Sequence, residues 1–234
     1  DSMLHVQNMV LDNCLSTIKH ETIYYPNKIK QIIGRLNVQS LSEEEEKESV
    51  ETISELIEYY KGIFTILSSC TSRQLEEVTF RRTTIPVADI MAYAGKYFKK
   101  AGKGGANKIT MAIEPLEAKV IGDINQLRFL MENLIDEALS FHQDGELILK
   151  AVADGEYIRF LFTDRRREKH VEELNLLFYP NLARMTSGEK GELRGTEYLI
   201  CKQIIRDHDE FAGRRGCRIN AEPAQGGGFT VYFT

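Results

Sequence analysis

Two long amphipathic segments open the chain, and each carries a single apolar stripe. In residues 3–36 the apolar side chains recur at spacings of three, four and seven, which predicts one long helix. A second helix is predicted after Ser42, a residue type that caps helices, and we interpret Glu43–Glu46 as its solvated start rather than an interaction tail. Two such helices cannot bury both stripes alone. The pattern therefore predicts a homodimer through residues 3–75 that forms a four-helix bundle.

The composition narrows the range of partners. The chain has 234 residues, of which 42% are hydrophobic, and its net charge of −5 argues against a broad grip on nucleic acid or anionic lipid. No run approaches the roughly 20 apolar residues of a membrane span, so we expect no direct membrane contact in this chain. Its 4 cysteines lie far apart and without zinc-site spacing. They are expected to be reduced thiols.

The pattern changes after residue 80. Residues 81–86 are interpreted as a linker, and residues 164–194 as charged and irregular. Helices are predicted at 87–98, 123–141 and 196–207, and strands at 108–113, 146–152, 157–163, 218–221 and 229–233. The fold class is therefore α+β. A helical hairpin in residues 1–80 is expected to precede a two-layer α/β sandwich in residues 81–234.

This order of domains, together with three short sequence segments, resembles the cytoplasmic core of sensor histidine kinases. In that family a dimerisation and phosphoacceptor hairpin precedes a GHKL-type ATP-binding domain. Residues 197–205 with 226–233 resemble the final helix and closing strand of that domain, and residues 133–138 resemble its asparagine box. The string Lys19-His20-Glu21 resembles the phosphoacceptor site.

The resemblance implies a complete signalling reaction. His20 would be phosphorylated by ATP with Mg²⁺, and the phosphoryl group would pass to an aspartate of a response-regulator receiver domain. It also implies a cytoplasmic location, as the cytoplasmic part of a longer, membrane-anchored sensor.

The chemistry around His20 suits that role. The adjacent carboxylate of Glu21 can orient the imidazole and accept its proton. His20 lies about 200° round the helix from Ile18, so it faces away from the apolar stripe. Tyr24 stands where the family usually has Thr or Asn. The resemblance therefore does not imply that this chain positions a hydrolytic water for a phosphatase reaction. The alternative interpretation is an ordinary exposed His-Glu pair.

In the asparagine box, the resemblance assigns Asn133 and Glu137 to the nucleotide site. Glu137 replaces the asparagine that holds Mg²⁺ in the family. A carboxylate binds Mg²⁺ but adds negative charge beside a triphosphate. In the second glycine-rich box only Gly195 is in register, and Glu197 replaces a glycine that faces the phosphates.

The first glycine-rich box keeps only its acid. The resemblance implies that Asp164 hydrogen-bonds the adenine amino group, whereas Arg166 and Glu168 replace the two glycines that let the backbone pass close to the purine. For residues 165–167 we favour a mobile, solvated lid loop over a binding site for an anion or an acidic partner.

These departures leave several functions open. The sandwich is expected to keep its fold while binding ATP weakly or not at all, because fold alone does not confer activity. One candidate is a histidine kinase that autophosphorylates His20. The other is a dimeric pseudokinase or phosphotransfer module that docks a response regulator, with His20 phosphorylated by another kinase. A sandwich adapted to a different ligand is a third, weaker option.

Overall fold

The computed structural model describes residues 2–21, 24–38, 42–71, 80–102, 107–141, 144–181, 186–187 and 193–234. The chain divides into two compact units. One contains Asp1–Gln7, Glu76–Tyr179 and Glu197–Thr234, and the other contains Asn8–Leu75 and Pro180–Thr196. Within the described ranges, no helix has the length and apolar character needed to cross a membrane.

Three long helices build the N-terminal part of the chain: α1 (Ser2–Glu21), α2 (Tyr24–Val38) and α3 (Glu43–Thr71). The single helix predicted over residues 3–36 is thus described as two, and residues 22 and 23 between them lie outside the described residues. Helix α2 packs against α3. The described apolar core of the helical unit consists of Val10, Leu11, Cys14 and Leu56.

The start of α3 confirms the predicted cap. The backbone N–H of Glu45 donates to Ser42 Oγ at 3.3 Å, and Glu45 Oε2 accepts from the Ser42 N–H at 2.9 Å. This reciprocal pair is a capping box, which satisfies two N–H groups that would otherwise have no partner. The acids Glu43–Glu46 are exposed, as a solvated helix start requires.

The elements of the sandwich unit follow in a regular order. Its helices are α4 (Val87–Ala101), α5 (Ile124–Leu139), α6 (Val171–Leu176) and α7 (Glu197–Phe211). Its strands are β1 (Thr83–Pro86), β2 (Lys108–Glu114), β3 (Lys119–Gly122), β4 (Glu146–Asp154), β5 (Tyr157–Asp164), β8 (Ile219–Pro223) and β9 (Phe229–Phe233). The remaining pair, β6 (Thr186–Ser187) and β7 (Leu193–Arg194), belongs to the helical unit.

The main sheet has the strand order β2-β4-β5-β9-β8. Strand β2 runs parallel to β4, and the other neighbours are antiparallel. Helix α5 packs against both α4 and α7, and its fully buried Leu130, Leu134 and Ile135 fill the space between the layers. Burial alternates along the first half of β4, as expected where helices cover one face of a sheet. The α+β sandwich predicted from the sequence is confirmed.

Two sequence predictions in this unit were wrong. Residues 83–86, interpreted as linker, form β1, which pairs antiparallel with β3 from Thr83↔Gly122 to Pro86↔Lys119. Each strand has 4 residues and its partner lies far along the chain, so the local pattern gives no signal. The segment expected to be irregular contains α6, at whose start the His170 N–H donates to the Glu173 carboxylate at 3.2 Å.

Candidate functional site

Helix α5, strand β5 and strand β9 bring two of the predicted nucleotide residues, Glu137 and Asp164, together at one end of the sandwich. Asp164 is the last residue of β5 and pairs in register with Phe229, the first residue of β9. Glu137 and Ala138 lie in the last turn of α5. These positions follow directly from the strand pairing and from the apolar face that anchors α5 in the core.

The carboxylate of Asp164 is buried and already engaged by its neighbours. Its Oδ1 accepts from the backbone N–H of Arg166 at 3.0 Å and from Arg166 Nε at 2.9 Å. Its Oδ2 accepts from Arg166 Nη2 at 2.8 Å and from Arg167 Nε at 2.9 Å. An ionised carboxylate has about four lone-pair positions, so these contacts use its whole accepting capacity.

Arg166 is held on several sides. Beyond Asp164, its Nη2 donates to the Ala138 carbonyl at 2.7 Å and its Nη1 to Asn107 Oδ1 at 3.1 Å. The Arg166 side chain is 1% exposed. Gly145 makes room for it, because a Cβ there would lie 2.6 Å from Arg166 Cγ.

Arg167 joins the two acids of the site. Its Nη1 and Nη2 bind Glu137 Oε1 and Oε2 at 3.2 and 2.8 Å, while its Nε binds Asp164. Tyr198 also donates its hydroxyl to Glu137 Oε2, at 2.6 Å. The carbon of the Arg167 guanidinium lies 3.9 Å from the centre of the Phe141 ring, a distance at which a cation is attracted to an aromatic face.

The cluster of Glu137, Asp164, Arg166 and Arg167, here called the arginine cluster, balances two negative charges with two positive ones. Burial by itself raises the pKa of Asp164, but the hydrogen bonds from Arg166 and the charges of both arginines outweigh it and hold that pKa below its usual range. The pKa of Arg167 is raised, because its contacts with Glu137 outweigh the effect of burial. Burial and the neighbouring Glu137 raise the pKa of Tyr198.

A close backbone approach fixes the end of β5 that carries the cluster. Gly228 precedes β9 with φ +81°, and a Cβ at this position would lie 2.1 Å from the carbonyl oxygen of Asp164. Only glycine accommodates both the conformation and the contact. The glycine run before the closing strand therefore serves the geometry of Asp164.

Asn133 is buried one turn before Glu137, and its side-chain amide donates to the Phe129 carbonyl at 2.7 Å. Gly195 has φ +82° and belongs to the helical unit. His20 and Glu21 lie in the last turn of α1, but their side chains are outside the described residues.

The prediction of a solvated lid loop for residues 165–167 was wrong for two of the three arginines. The Arg167 side chain is 8% exposed, and only Arg165 points to solvent. Sequence reasoning also missed Tyr198 as a partner of Glu137. One signal for the cluster was available in the sequence. Glu137 replaces a neutral residue of the family and Arg166 replaces a glycine, and the appearance of opposite charges at two positions of one site indicates that they pair.

The arginine cluster does not fit Mg-ATP. Asp164 has no accepting position left for an adenine amino group, and Arg167 occupies both oxygens of Glu137 that would face Mg²⁺. Arg166 fills the space that glycine leaves empty in the family pattern. Nucleotide would have to displace buried, paired arginines.

Comparisons with known proteins agree with the fold. Residues 122–234 match the family described as histidine kinase-, DNA gyrase B- and HSP90-like ATPase. No curated protein sequence matches the chain. The structure is similar to that of histidine kinase ThkA in complex with response regulator protein TrrA, with a TM-score of 0.56 and 16% identity over 98% of this chain and 63% of that chain.

In two further matches, the aligned region covers almost the whole length of the solved chain. The histidine kinase AdeS of Acinetobacter baumannii matches with a TM-score of 0.52 and 14% identity over 92% of this chain and 95% of that one. The nucleotide-free catalytic domain of ThkA matches with a TM-score of 0.53 and 17% identity, covering 65% and 95%. The chain thus has the fold of the GHKL-type core of histidine kinases, and its residues 122–234 match the histidine kinase-, DNA gyrase B- and HSP90-like ATPase family.

Proposed function

We propose that this histidine kinase-like protein is a dimeric signalling module whose own arginines close its nucleotide site, so that it binds ATP weakly or not at all. The observation that carries the proposal is the saturated carboxylate of Asp164, which accepts four hydrogen bonds from Arg166 and Arg167. An adenine amino group needs an acceptor at this position, and the arginines already hold it.

The energetic consequence is large. Breaking a buried ion pair from one side costs about 3–5 kcal/mol, because the remaining charge stays buried without a partner. Since 1.4 kcal/mol is tenfold in affinity, a nucleotide that had to displace Arg166 would bind roughly 10²- to 4 × 10³-fold more weakly. A micromolar site would become a millimolar one.

The helical unit would provide dimerisation and phosphoryl transfer. Apolar side chains on its described helices stay exposed in the single chain, among them Ile33 at 46%, Val50 at 57% and Ile57 at 55%. A second copy would cover them in the four-helix bundle that the stripe pattern predicts. His20, with Glu21 beside it, would accept a phosphoryl group from another kinase and exchange it with a docked receiver domain. One similar structure, ThkA, is described as a complex with a response regulator.

The first test is calorimetry of the folded, dimeric protein with Mg-ATP. We expect no saturable binding heat below millimolar nucleotide. The matched controls are Arg165→Ala, whose side chain is exposed, and Arg166→Gly, which restores a family glycine and frees two acceptors on Asp164. Arg165→Ala should behave like the wild type, and Arg166→Gly should bind more tightly than either. Micromolar binding by the wild type that Asp164→Ala abolishes would overturn the proposal and favour an active kinase.

A second test follows the phosphoryl group. Incubated alone with radiolabelled ATP, the protein should remain unlabelled, whereas a separate active histidine kinase should label it. His20→Gln should remove that label while leaving the binding of a receiver domain largely intact. Labelling of the protein alone that His20→Gln abolishes would instead identify an autonomous kinase.

A further inference from the structure

An open cavity of about 520 Å³ lies in the sandwich unit, at the end away from the arginine cluster. Tyr157, the first residue of β5, lines it, and Asp164 is the last residue of the same strand. A strand rises about 3.3 Å per residue, so ~23 Å separate Tyr157 from Asp164, and ~13 Å separate Asp164 from Phe160, the lining residue of β5 nearest to the cluster. The cavity is therefore distinct from the candidate nucleotide site.

The inner wall of this cavity is apolar. It is formed by Leu127 of α5, Ile205 of α7, and Phe160 and Phe233 of the sheet. These four side chains belong to the buried core. A cavity of this size with an apolar lining matches the pockets that hold small organic molecules.

The rim of the cavity carries a surplus of positive charge. Arg82, Lys119 and Arg214 line it and are exposed. Among the described lining residues, Glu156 is the only acidic side chain, and it pairs with Arg214 at 2.7 Å. Arg82 and Lys119 therefore leave two positive charges uncompensated by acidic side chains of the lining.

The buried imidazole of His208, which also lines the cavity, adds no charge. His208 is buried, its Nδ1 lies 2.7 Å from the Ile204 carbonyl, and its Nε2 accepts from the Asp123 N–H at 3.1 Å. Burial lowers the pKa of His208, so the ring is neutral at pH 7. Both ring nitrogens are in use, and the deep part of the cavity remains apolar.

We propose that this cavity binds a small amphipathic organic anion, an aliphatic or aromatic carboxylate. The hydrocarbon part would lie against Leu127, Phe160 and Phe233, and the carboxylate would face Arg82 and Lys119 at the rim. A neutral molecule of the same shape would leave the cations unused, and a small inorganic anion would leave the apolar wall unused.

The test uses the full chain and decanoate as the probe, with 1-decanol and butyrate as matched controls. Cys217 lines the cavity, so occupancy is measured as protection of the Cys217 peptide from alkylation, quantified by mass spectrometry. We expect decanoate to protect Cys217 with saturation. Decanol is expected to bind about tenfold more weakly, which is within the range that two exposed ion pairs supply, and butyrate should give no protection.

Two variants separate the contributions of charge and shape. Arg82→Gln/Lys119→Gln changes only exposed side chains and should reduce the affinity for decanoate to that for decanol. Ala153→Phe fills the mouth and should abolish protection by both. Absence of protection up to the solubility limit, equal binding of decanoate and decanol, or a preference for decanoate that survives the double glutamine substitution would each overturn the assignment.

Discussion

Arg166 and Asp164 form a bidentate ion pair, in which Arg166 Nε lies 2.9 Å from Asp164 Oδ1 and Arg166 Nη2 lies 2.8 Å from Asp164 Oδ2. Both side chains are 1% exposed. Parallel, charge-assisted contacts of this kind are among the stronger hydrogen bonds in proteins. The two residues are only two positions apart, so the turn after β5 alone brings them together.

This ion pair predicts an unequal effect of two neighbouring substitutions. Arg166→Met leaves the buried charge of Asp164 with Arg167 alone and should lower the free energy of unfolding by about 3–5 kcal/mol. Arg165→Met removes an exposed side chain whose Nη1 contacts the Gln225 carbonyl at 3.1 Å, and should cost less than ~0.5 kcal/mol. Urea denaturation of both variants measures the difference. Equally small losses in the free energy of unfolding for both variants would show that the Arg166–Asp164 pair does not stabilise the fold.

The close approach at Gly228 predicts a second contrast. Gly228→Ala places a Cβ against the Asp164 carbonyl at a position with positive φ, and we expect a loss of at least about 3 kcal/mol. Gly155→Ala has φ +60° and open space around the new Cβ, so only the backbone cost of about 1 kcal/mol applies. Thermal unfolding of the two variants provides the comparison. A mild effect at Gly228 would mean that the backbone there can move away.

His208 predicts a dependence of stability on pH. Burial lowers its pKa in the folded state below 6.5, so the unfolded chain binds the proton more readily. The contribution of His208 is therefore complete above about pH 6.5 and declines as the pH falls below that value. Between pH 7 and pH 5.5 the wild type should lose more of its free energy of unfolding than His208→Gln.

That comparison isolates His208, because the other titratable groups are common to both proteins. Asp207, whose pKa is raised by burial, contributes with the opposite sign at lower pH and cancels in the difference. Denaturant unfolding at several pH values gives the two curves. Parallel curves would show that His208 does not titrate between the folded and unfolded states.

The capping box at α3 predicts a measurable loss on Ser42→Ala. Removing Ser42 Oγ leaves the Glu45 N–H without its partner, and caps of this kind contribute about 1 kcal/mol. Ser54→Ala is the matched control. Its hydroxyl bonds the Val50 carbonyl within the same helix, and alanine favours helix interiors. Circular dichroism during urea titration compares the two, and a control as damaging as Ser42→Ala would argue against the cap.

Local patterns in the sequence were sufficient for much of the sandwich. The apolar period of α5, with Asp123 accepting from the N–H groups of Asn125 and Gln126 as its N-cap, is readable from neighbouring residues. The turn at Gly155 between β4 and β5, and the closing strand β9, are equally local. Periodicity and turn chemistry act over a few residues, and such elements are therefore predictable.

Contacts between distant segments were decided only by the tertiary structure. The pairing of β1 with β3 joins short strands on either side of α4, and no local pattern announces it. The sequence also showed that Arg166 and Arg167 replace family positions, but a run of arginines ordinarily predicts a solvated surface. Burial of these side chains depends on Glu137 from α5, Asp164 from β5 and the Ala138 carbonyl meeting in one place. A buried charge is stable only where its partners converge, and that convergence is a property of the folded chain.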